Sequence, residues 1–279
     1  MIDAIRLRVT NLPRSVDFYQ THLGMSRVTL FPESGTAFLK YPNSPLCTGI
    51  LLEQRRNNEP ALSVASPQDV TQGYSHLAIA VPEIEFAYYR LNQLGHELLP
   101  CIEPSQRNLL DPDGHCIRLM EYDAMFTTGK SEPWEHASVQ RVSLRVRDPQ
   151  QSLQFYRRTL GFNLLLEQSS FQHGATHYLV GYPESRQGVR SPTEVTLTST
   201  VLELQYIWKG EDEPNFEYRV DASCGFVGLR VYESFLAPLK ARLHSEGMGI
   251  IDTASGIVFH DPEGYPWQVE AHSIASTSP

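Results

Sequence analysis

The residue types most able to do chemistry in this sequence are its four cysteines and ten histidines. The cysteines stand far apart, at Cys47, Cys101, Cys116 and Cys224. None belongs to a C-x-x-C pair, so the spacing excludes a zinc knuckle and a dithiol redox motif. We therefore expect four thiols in a reducing compartment. The histidines are candidates for proton transfer or metal binding, because an unperturbed imidazole titrates at about pH 6.5.

An internal repeat shows which elements must position these side chains. Residues 7–25 read LRVTNLPRSVDFYQTHLGM and residues 144–162 read LRVRDPQQSLQFYRRTLGF. The segment 76–81 is aligned with 226–231, and a D-P-D-G turn at 111–114 recurs as D-P-E-G at 261–264. The chain is therefore predicted to be two homologous halves, each made of two units.

Each unit is predicted to have the order βαβββ, giving an α+β fold. Short alternating apolar segments indicate the strands. Asn11 and Asp148 are predicted N-caps of the first and third helices, and Gly24 and Gly161 are predicted to end them. The second and fourth helices are predicted near 83–94 and 234–245.

The predicted boundaries follow from the repeat and from polar connecting segments. The N-terminal domain is predicted to span 1–123, with modules 1–54 and 74–123. The linker is predicted at 124–137, the C-terminal domain at 138–272 with modules 138–209 and 224–272, and a flexible tail at 273–279.

Composition excludes several classes of partner. The formal net charge is −9, from 23 basic and 32 acidic residues, which argues against nucleic acid or an anionic membrane as a partner. No apolar run approaches the roughly 18 residues of a membrane helix. The first residues lack a signal-peptide pattern, so we expect a cytoplasmic protein that acts on a small molecule as a monomer or homodimer.

The paired L-R-V, F-Y, L-G and D-P-x-G segments resemble the vicinal oxygen chelate superfamily. That superfamily includes glyoxalase I, extradiol dioxygenases and bleomycin-resistance proteins. The resemblance spans nearly the whole chain and implies two tandem domains with cup-shaped mixed sheets. It also implies a divalent metal on a cup floor, where the dication stabilises an enediolate or catecholate.

Two cups follow from the arrangement of fused glyoxalases, which the sequence resembles. The outer cup would combine the first and fourth units, and the central cup the second and third. The implied outer floor is Ala4, Leu51, Phe226 and Gln268, an apolar surface with one amide. The implied central floor is His76, Arg118, Arg141 and Glu203. Arginine has no lone pair for a metal, so we expect no metal; if one binds, His76 and Glu203 are its expected ligands.

The central floor permits two interpretations. In the first, Arg118 and Arg141 bind an anionic substrate while His76 and Glu203 are catalytic. In the second, Glu203 forms a buried ion pair with one arginine and takes the metal's structural place. A shift in strand register would change which residues form the floor. Other histidines, including His177, have no position in this prediction.

Several further residues are predicted to contact substrate. Aromatic side chains are frequent at predicted inner or rim positions, where they suit a flat ligand. The candidates besides the two arginines are Tyr178, Tyr206, Phe226 and Gln268.

The function predicted from these features is an enzyme with a degenerate metal site. It would perform acid/base or lyase-type chemistry on a small aromatic or carboxylated metabolite. One alternative is a ligand-sequestering protein of the bleomycin-resistance type. Another is a glyoxalase or extradiol dioxygenase that depends on Fe, Zn, Ni or Mn.

Overall fold

The structure is a computed structural model of the 279-residue chain. It describes residues 1–44, 46–64, 69–101, 106–121, 134–171, 174–182, 186–191, 194–197, 199–208, 217–233 and 235–271. For 186–191 and 194–197 only the backbone is considered. The predicted linker and tail therefore lie largely outside the described residues, and the domain boundaries stay predictions.

Eighteen strands and four α-helices are present in these residues. The first half contains β1 (Ile2–Val9), α1 (Leu12–Asp17), β2 (Arg27–Phe31), β3 (Thr36–Lys40), β4 (Gly49–Gln54), β5 (Tyr74–Val81), α2 (Ile84–Gln93), β6 (Leu99–Pro100), β7 (Arg107–Leu110) and β8 (Cys116–Glu121). The second half contains β9 (Ser138–Arg145), α3 (Pro149–Thr159), β10 (Asn163–Ser170), β11 (Ala175–Gly181), β12 (Arg186–Ser191), β13 (Glu194–Leu197), β14 (Val201–Ile207), β15 (Phe226–Glu233), α4 (Leu236–Ser245), β16 (Ile250–Asp252), β17 (Gly256–His260) and β18 (Pro266–Ala271).

Two eight-stranded mixed sheets organise the described part of the chain, which confirms the predicted fold class. The outer sheet has the order β16-β17-β18-β15-β1-β4-β3-β2, and the central sheet the order β10-β11-β14-β9-β5-β8-β7-β6. Each sheet takes four strands from each half of the chain. The halves are joined by two antiparallel pairs, β1 with β15 and β5 with β9.

The two faces of the central sheet have different surroundings. On β5, Leu77, Ile79 and Val81 belong to the main hydrophobic core, to which the helices also contribute. Ala78 and Ala80 belong instead to a separate small cluster with Met120 of β8. The alternation follows from the two-residue period of a strand. We call the face opposite the main core the cup face.

Helix ends follow the predicted capping. The Asn11 side chain accepts a hydrogen bond from the Arg14 N–H at 3.1 Å, and that of Asp148 accepts one from the Gln151 N–H at 2.9 Å. The first helix differs in its second part, since α1 is followed by a π-helical turn at Phe18–His22. The third helix stays α-helical throughout.

The recurring F-Y and D-P-x-G segments meet in space. The Tyr19 hydroxyl donates to Asp111 at 3.0 Å, and the Tyr156 hydroxyl donates to Asp261. In each half, the helix of one unit is thus fastened to the D-P-x-G turn of the next. This buried contact gives the repeat a structural role, which is why it predicts the fold better than the function.

Candidate active site

A β-bulge directs His76 onto the cup face. Tyr74 pairs with Leu144 of β9, whereas His76 pairs with the adjacent Ser143, so Ser75 is an extra residue in β5. Tyr74 therefore faces the main core, and the next even-numbered residue, His76, faces the cup. Bulges commonly re-aim a side chain beside a functional site.

An equivalent bulge in β15 corrects the predicted alignment of the fourth unit with the second. In β15, Phe226 pairs with Leu7 and Gly228 pairs with the adjacent Arg6, so Val227 is an extra residue. This repeats the pattern of Tyr74 and His76 in β5 and shifts the predicted alignment by two residues. Gly228, rather than Phe226, is therefore the counterpart of His76. Phe226 lies in the main core, which overturns the expectation that it lines a cup.

Phe226 packs against its own counterpart. Its ring stacks on that of Tyr74 with centroids 5.0 Å apart and planes 10° from parallel. The two rings come from the two sheets, one from each bulged strand. This contact explains an aromatic residue at both positions without any ligand.

Glu203 is the centre of the predicted central floor. It lies on β14 and is 5% exposed. Its Oε1 accepts a hydrogen bond from Nδ1 of His177 at 3.1 Å, and its Oε2 lies 3.5 Å from Nε2 of His76. A guanidinium nitrogen of Arg141 is 3.9 Å from Oε1, too long for a hydrogen bond. The carboxylate is therefore held between two imidazoles, with an arginine nearby.

This environment shifts the pKa values of Glu203 and His76. Burial alone would raise the pKa of Glu203, but the His177 hydrogen bond and the charges of His177, His76 and Arg141 hold that pKa well below its usual value. Burial lowers the pKa of His76 well below its usual value, and the charge of Arg118 lowers it further. Near neutral pH, Glu203 is therefore an anion and His76 is neutral.

Neither arginine of the predicted floor donates a hydrogen bond to a carboxylate among the described residues. The Arg118 Nε donates to the side-chain oxygen of Asn108 at 3.2 Å. The Arg141 side chain is 23% exposed, and its Nε has no hydrogen-bond partner among the described residues. Within the described residues, no hydrogen bond engages the terminal guanidinium nitrogens of either arginine, so these are the donors that a ligand could use.

His177 is the residue that the sequence predictions left unplaced. It lies on β11, next to β14, and its side chain is 20% exposed. The alternation of β11 indicates its face, because the even-numbered Tyr178 and Val180 belong to the main core. His177 therefore lies on the opposite face, with Leu179. The sequence could not show that this face meets Glu203.

Comparisons with known proteins give the family. Residues 1–119 and 138–269 match the model of the Glyoxalase/Bleomycin resistance protein/Dioxygenase superfamily. The chain belongs to this superfamily. It is 26% identical to glyoxalase I of Saccharomyces cerevisiae, over 76% of this chain and 71% of that protein. Glyoxalase I of Zea mays has a similar fold, with a TM-score of 0.68 at 19% identity, covering 97% of this chain and 92% of that one.

The residues at the superfamily's metal positions do not fit a metal ion. His76 and Glu203 have suitable donor atoms, but Arg118 and Arg141 are cations without a lone pair. Over the described ranges, no group of three His, Cys, Asp or Glu side chains is arranged to hold a metal ion. The acid–base and charged groups of the central cup are therefore its own side chains, those of His76, Arg118, Arg141 and Glu203.

The outer cup differs from the apolar surface that was expected. Arg6 donates to Glu53 at 2.7 Å, and Arg230 donates to Asp3 at 2.6 Å, with Lys40 3.5 Å from the same carboxylate. The cup face of the outer sheet is therefore occupied by internal ion pairs. Arg6 and Glu53 lie on the same faces of their strands as the predicted floor residues Ala4 and Leu51, but the sequence could not show that they pair with each other.

The remaining predicted substrate contacts do not join His76 and Glu203. Gln268 lies on the outer sheet and donates to Glu270 at 2.8 Å. Tyr178 belongs to the main core, and Tyr206 packs against that core on the same side. Gln268 is therefore on a different sheet from the central cup, and the two tyrosines are on the opposite face of the central sheet.

Membrane insertion through a helix has no support in the described residues, because every helix there is too short or too polar to span a bilayer.

Proposed function

We propose that the protein is an enzyme that catalyses a glyoxalase-type proton shift on a small anionic carbonyl compound. Such a shift removes a proton next to a carbonyl group and returns it elsewhere, through an enolate. The substrate would bind in the central cup. The superfamily membership and the similarity to yeast glyoxalase I support an enzyme of this type.

One observation carries the proposal: a buried carboxylate held by two imidazoles shares its floor with two arginines, both paired through the strand register with Ala78. An ionised Glu203 with His76 and His177 supplies groups that can hold and move a proton. Arg118 and Arg141 supply positive charge at the same floor. Proton transfer and charge stabilisation are the two requirements of enolate chemistry.

The charge balance of the cup indicates the substrate class. Arg118 and Arg141 are cations, Glu203 is an anion and His76 is neutral, so these four groups have a net charge of about +1. An anionic substrate is therefore favoured. A developing enolate oxygen is stabilised by guanidinium groups in a site of low dielectric constant, where the interaction is stronger than in water.

The two arginines that recur in the L-R-V segments are engaged elsewhere. Arg145 is 4% exposed and donates to the carbonyl oxygens of Asp69 and Gln72, at 2.9 and 2.5 Å. The Arg8 Nε lies 3.5 Å from a carboxylate oxygen of Glu59. Neither is available at the floor, so the substrate's anionic group is assigned to Arg118 and Arg141.

The proposal is tested by removing the floor charges. Arg118→Met and Arg141→Met should each raise the KM for an anionic 2-oxo acid at least tenfold, because each removes a charge-assisted contact. Arg158→Met is the matched control, since Arg158 is an exposed arginine on α3 and its loss should leave KM unchanged.

Two outcomes would reject the proposal. Tight binding of ligands without turnover by the unmodified protein would indicate sequestration instead. Turnover that requires stoichiometric Fe, Zn, Ni or Mn, and disappears with a chelator, would indicate a metal-dependent reaction.

A further inference from the structure

We propose that His177 is the group that exchanges the proton with substrate, with Glu203 and His76 as its positioning residues. This assignment rests on the proposed function. It differs from the sequence prediction, which placed catalysis on His76 and Glu203.

The hydrogen bond to Glu203 determines the tautomer of His177. An ionised carboxylate can only accept hydrogen bonds, so the 3.1 Å contact requires a proton on Nδ1 of His177. In the neutral ring, the lone pair is then on Nε2. A carboxylate that orients an imidazole in this way is a recurring arrangement in catalytic sites.

The accessibility of the two histidines differs. The His177 side chain is 20% exposed, whereas that of His76 is 1% exposed. Both nitrogens of His76 are also engaged, because its Nδ1 lies 3.1 Å from the Ser75 hydroxyl and its Nε2 faces Glu203. His76 is therefore suited to position the Glu203 carboxylate from the buried side, whereas His177 is accessible to a substrate bound in the cup.

The proton transfer that this arrangement supports is balanced without any redox partner. Nε2 of His177 takes a proton from the carbon next to the substrate carbonyl. The electron pair of that C–H bond becomes the enolate C=C bond, and the carbonyl π pair moves to oxygen, beside Arg118 and Arg141. The imidazolium then returns a proton to carbon, so the ring ends in its starting state.

A pair of amide substitutions separates the two histidines. His177→Asn keeps a donor at the place of Nδ1, and so keeps Glu203 satisfied, but it removes Nε2. His76→Gln keeps a donor at the place of Nε2, which is the nitrogen that faces Glu203. Each variant preserves the contact to the carboxylate, so any difference in turnover reports on the remaining nitrogen.

The experiment measures exchange of C–H protons with solvent in D₂O by NMR, with pyruvate, 2-oxobutyrate and phenylpyruvate as probes. For a probe that the unmodified protein exchanges, His177→Asn should lower kcat at least a hundredfold with KM changed less than threefold. His76→Gln should keep kcat within about tenfold. Added imidazole should restore part of the exchange in His177→Ala.

Each contrary result has a distinct meaning. Exchange by the unmodified protein that persists in His177→Asn overturns the role of His177 alone. Absence of exchange with every probe overturns the proposed function and this assignment together. Stoichiometric Fe, Zn, Ni or Mn that is lost in His177→Asn also overturns the assignment, because a metal-bound nitrogen has no lone pair for a proton.

Discussion

Two buried carboxylates in this protein have opposite pKa shifts, and their neighbours explain the difference. Glu203 is surrounded by two imidazoles and an arginine, which outweigh the cost of burial and lower its pKa. Asp261 receives hydrogen bonds from a tyrosine and from backbone N–H groups, and it forms no ion pair with any residue in the described ranges. Burial therefore dominates and raises the pKa of Asp261 to about 6. Of these two carboxylates, Glu203 is therefore the one whose surroundings stabilise the ionised form.

The raised pKa of Asp261 predicts a pH-dependent stability. The folded protein binds this proton more tightly than the unfolded chain, whose usual pKa is 3.8. Its contribution to the free energy of unfolding is therefore complete below about pH 4, and falls by up to about 3 kcal/mol as the pH rises past 6. Asp261→Asn should remove this dependence.

The measurement is urea unfolding of both proteins between pH 4 and pH 7. The stability of the unmodified protein relative to Asp261→Asn should decrease as the pH rises. Asp252→Asn, at an exposed aspartate, is the control and should follow the unmodified protein. A constant difference between Asp261→Asn and the unmodified protein would contradict the prediction.

At the scale of elements, the bulges in β5 and β15 decide which residues reach a cup. The bulge in β5 places His76 beside Glu203, and that in β15 places Gly228 at the equivalent position. Gly228 has φ of +131°, and a Cβ atom there would lie 2.3 Å from the carbonyl oxygen of Pro266. The outer cup therefore has no side chain where the central cup has an imidazole.

This close approach predicts a large cost for any side chain at Gly228. Gly228→Ala should lower the free energy of unfolding by about 3 kcal/mol or more, from backbone strain and displacement of the β18 strand. Gly247→Ala is the matched control, since Gly247 also has positive φ but open space around it, and should cost about 1 kcal/mol. Chemical denaturation measures the loss of stability in both variants. Equal losses would contradict the prediction, because they would show that β18 moves away from the added methyl group at little cost.

At the scale of the whole molecule, each sheet is shared between the two halves of the chain. The central cup takes His76 and Arg118 from the first half, and Arg141, His177 and Glu203 from the second. Neither half contains a complete floor. The strands β1 and β5 of the first half would each lose one neighbouring strand if the second half were removed.

We therefore expect the two halves to associate when the chain is divided within the predicted linker. When residues 1–128 and 129–279 are produced together as separate chains, a tag on one should retain the other through purification. The joined particle should show the activity, because the floor is complete only there. Two halves that purify as separate folded monomers would contradict the shared sheets.

The sequence by itself determined the repeat, the βαβββ order and the helix caps, because these depend on local periodicity and capping chemistry. The helices predicted near 83–94 and 234–245, for example, agree with α2 and α4 within two residues at each end. The resemblance to a known superfamily brought His76, Arg118, Arg141 and Glu203 together as candidates. Only the tertiary structure decided the rest, because bulges and the pairing of strands distant in the sequence determine which side chains meet on one face. It moved Phe226 into the core, filled the outer cup with ion pairs and placed His177 against Glu203.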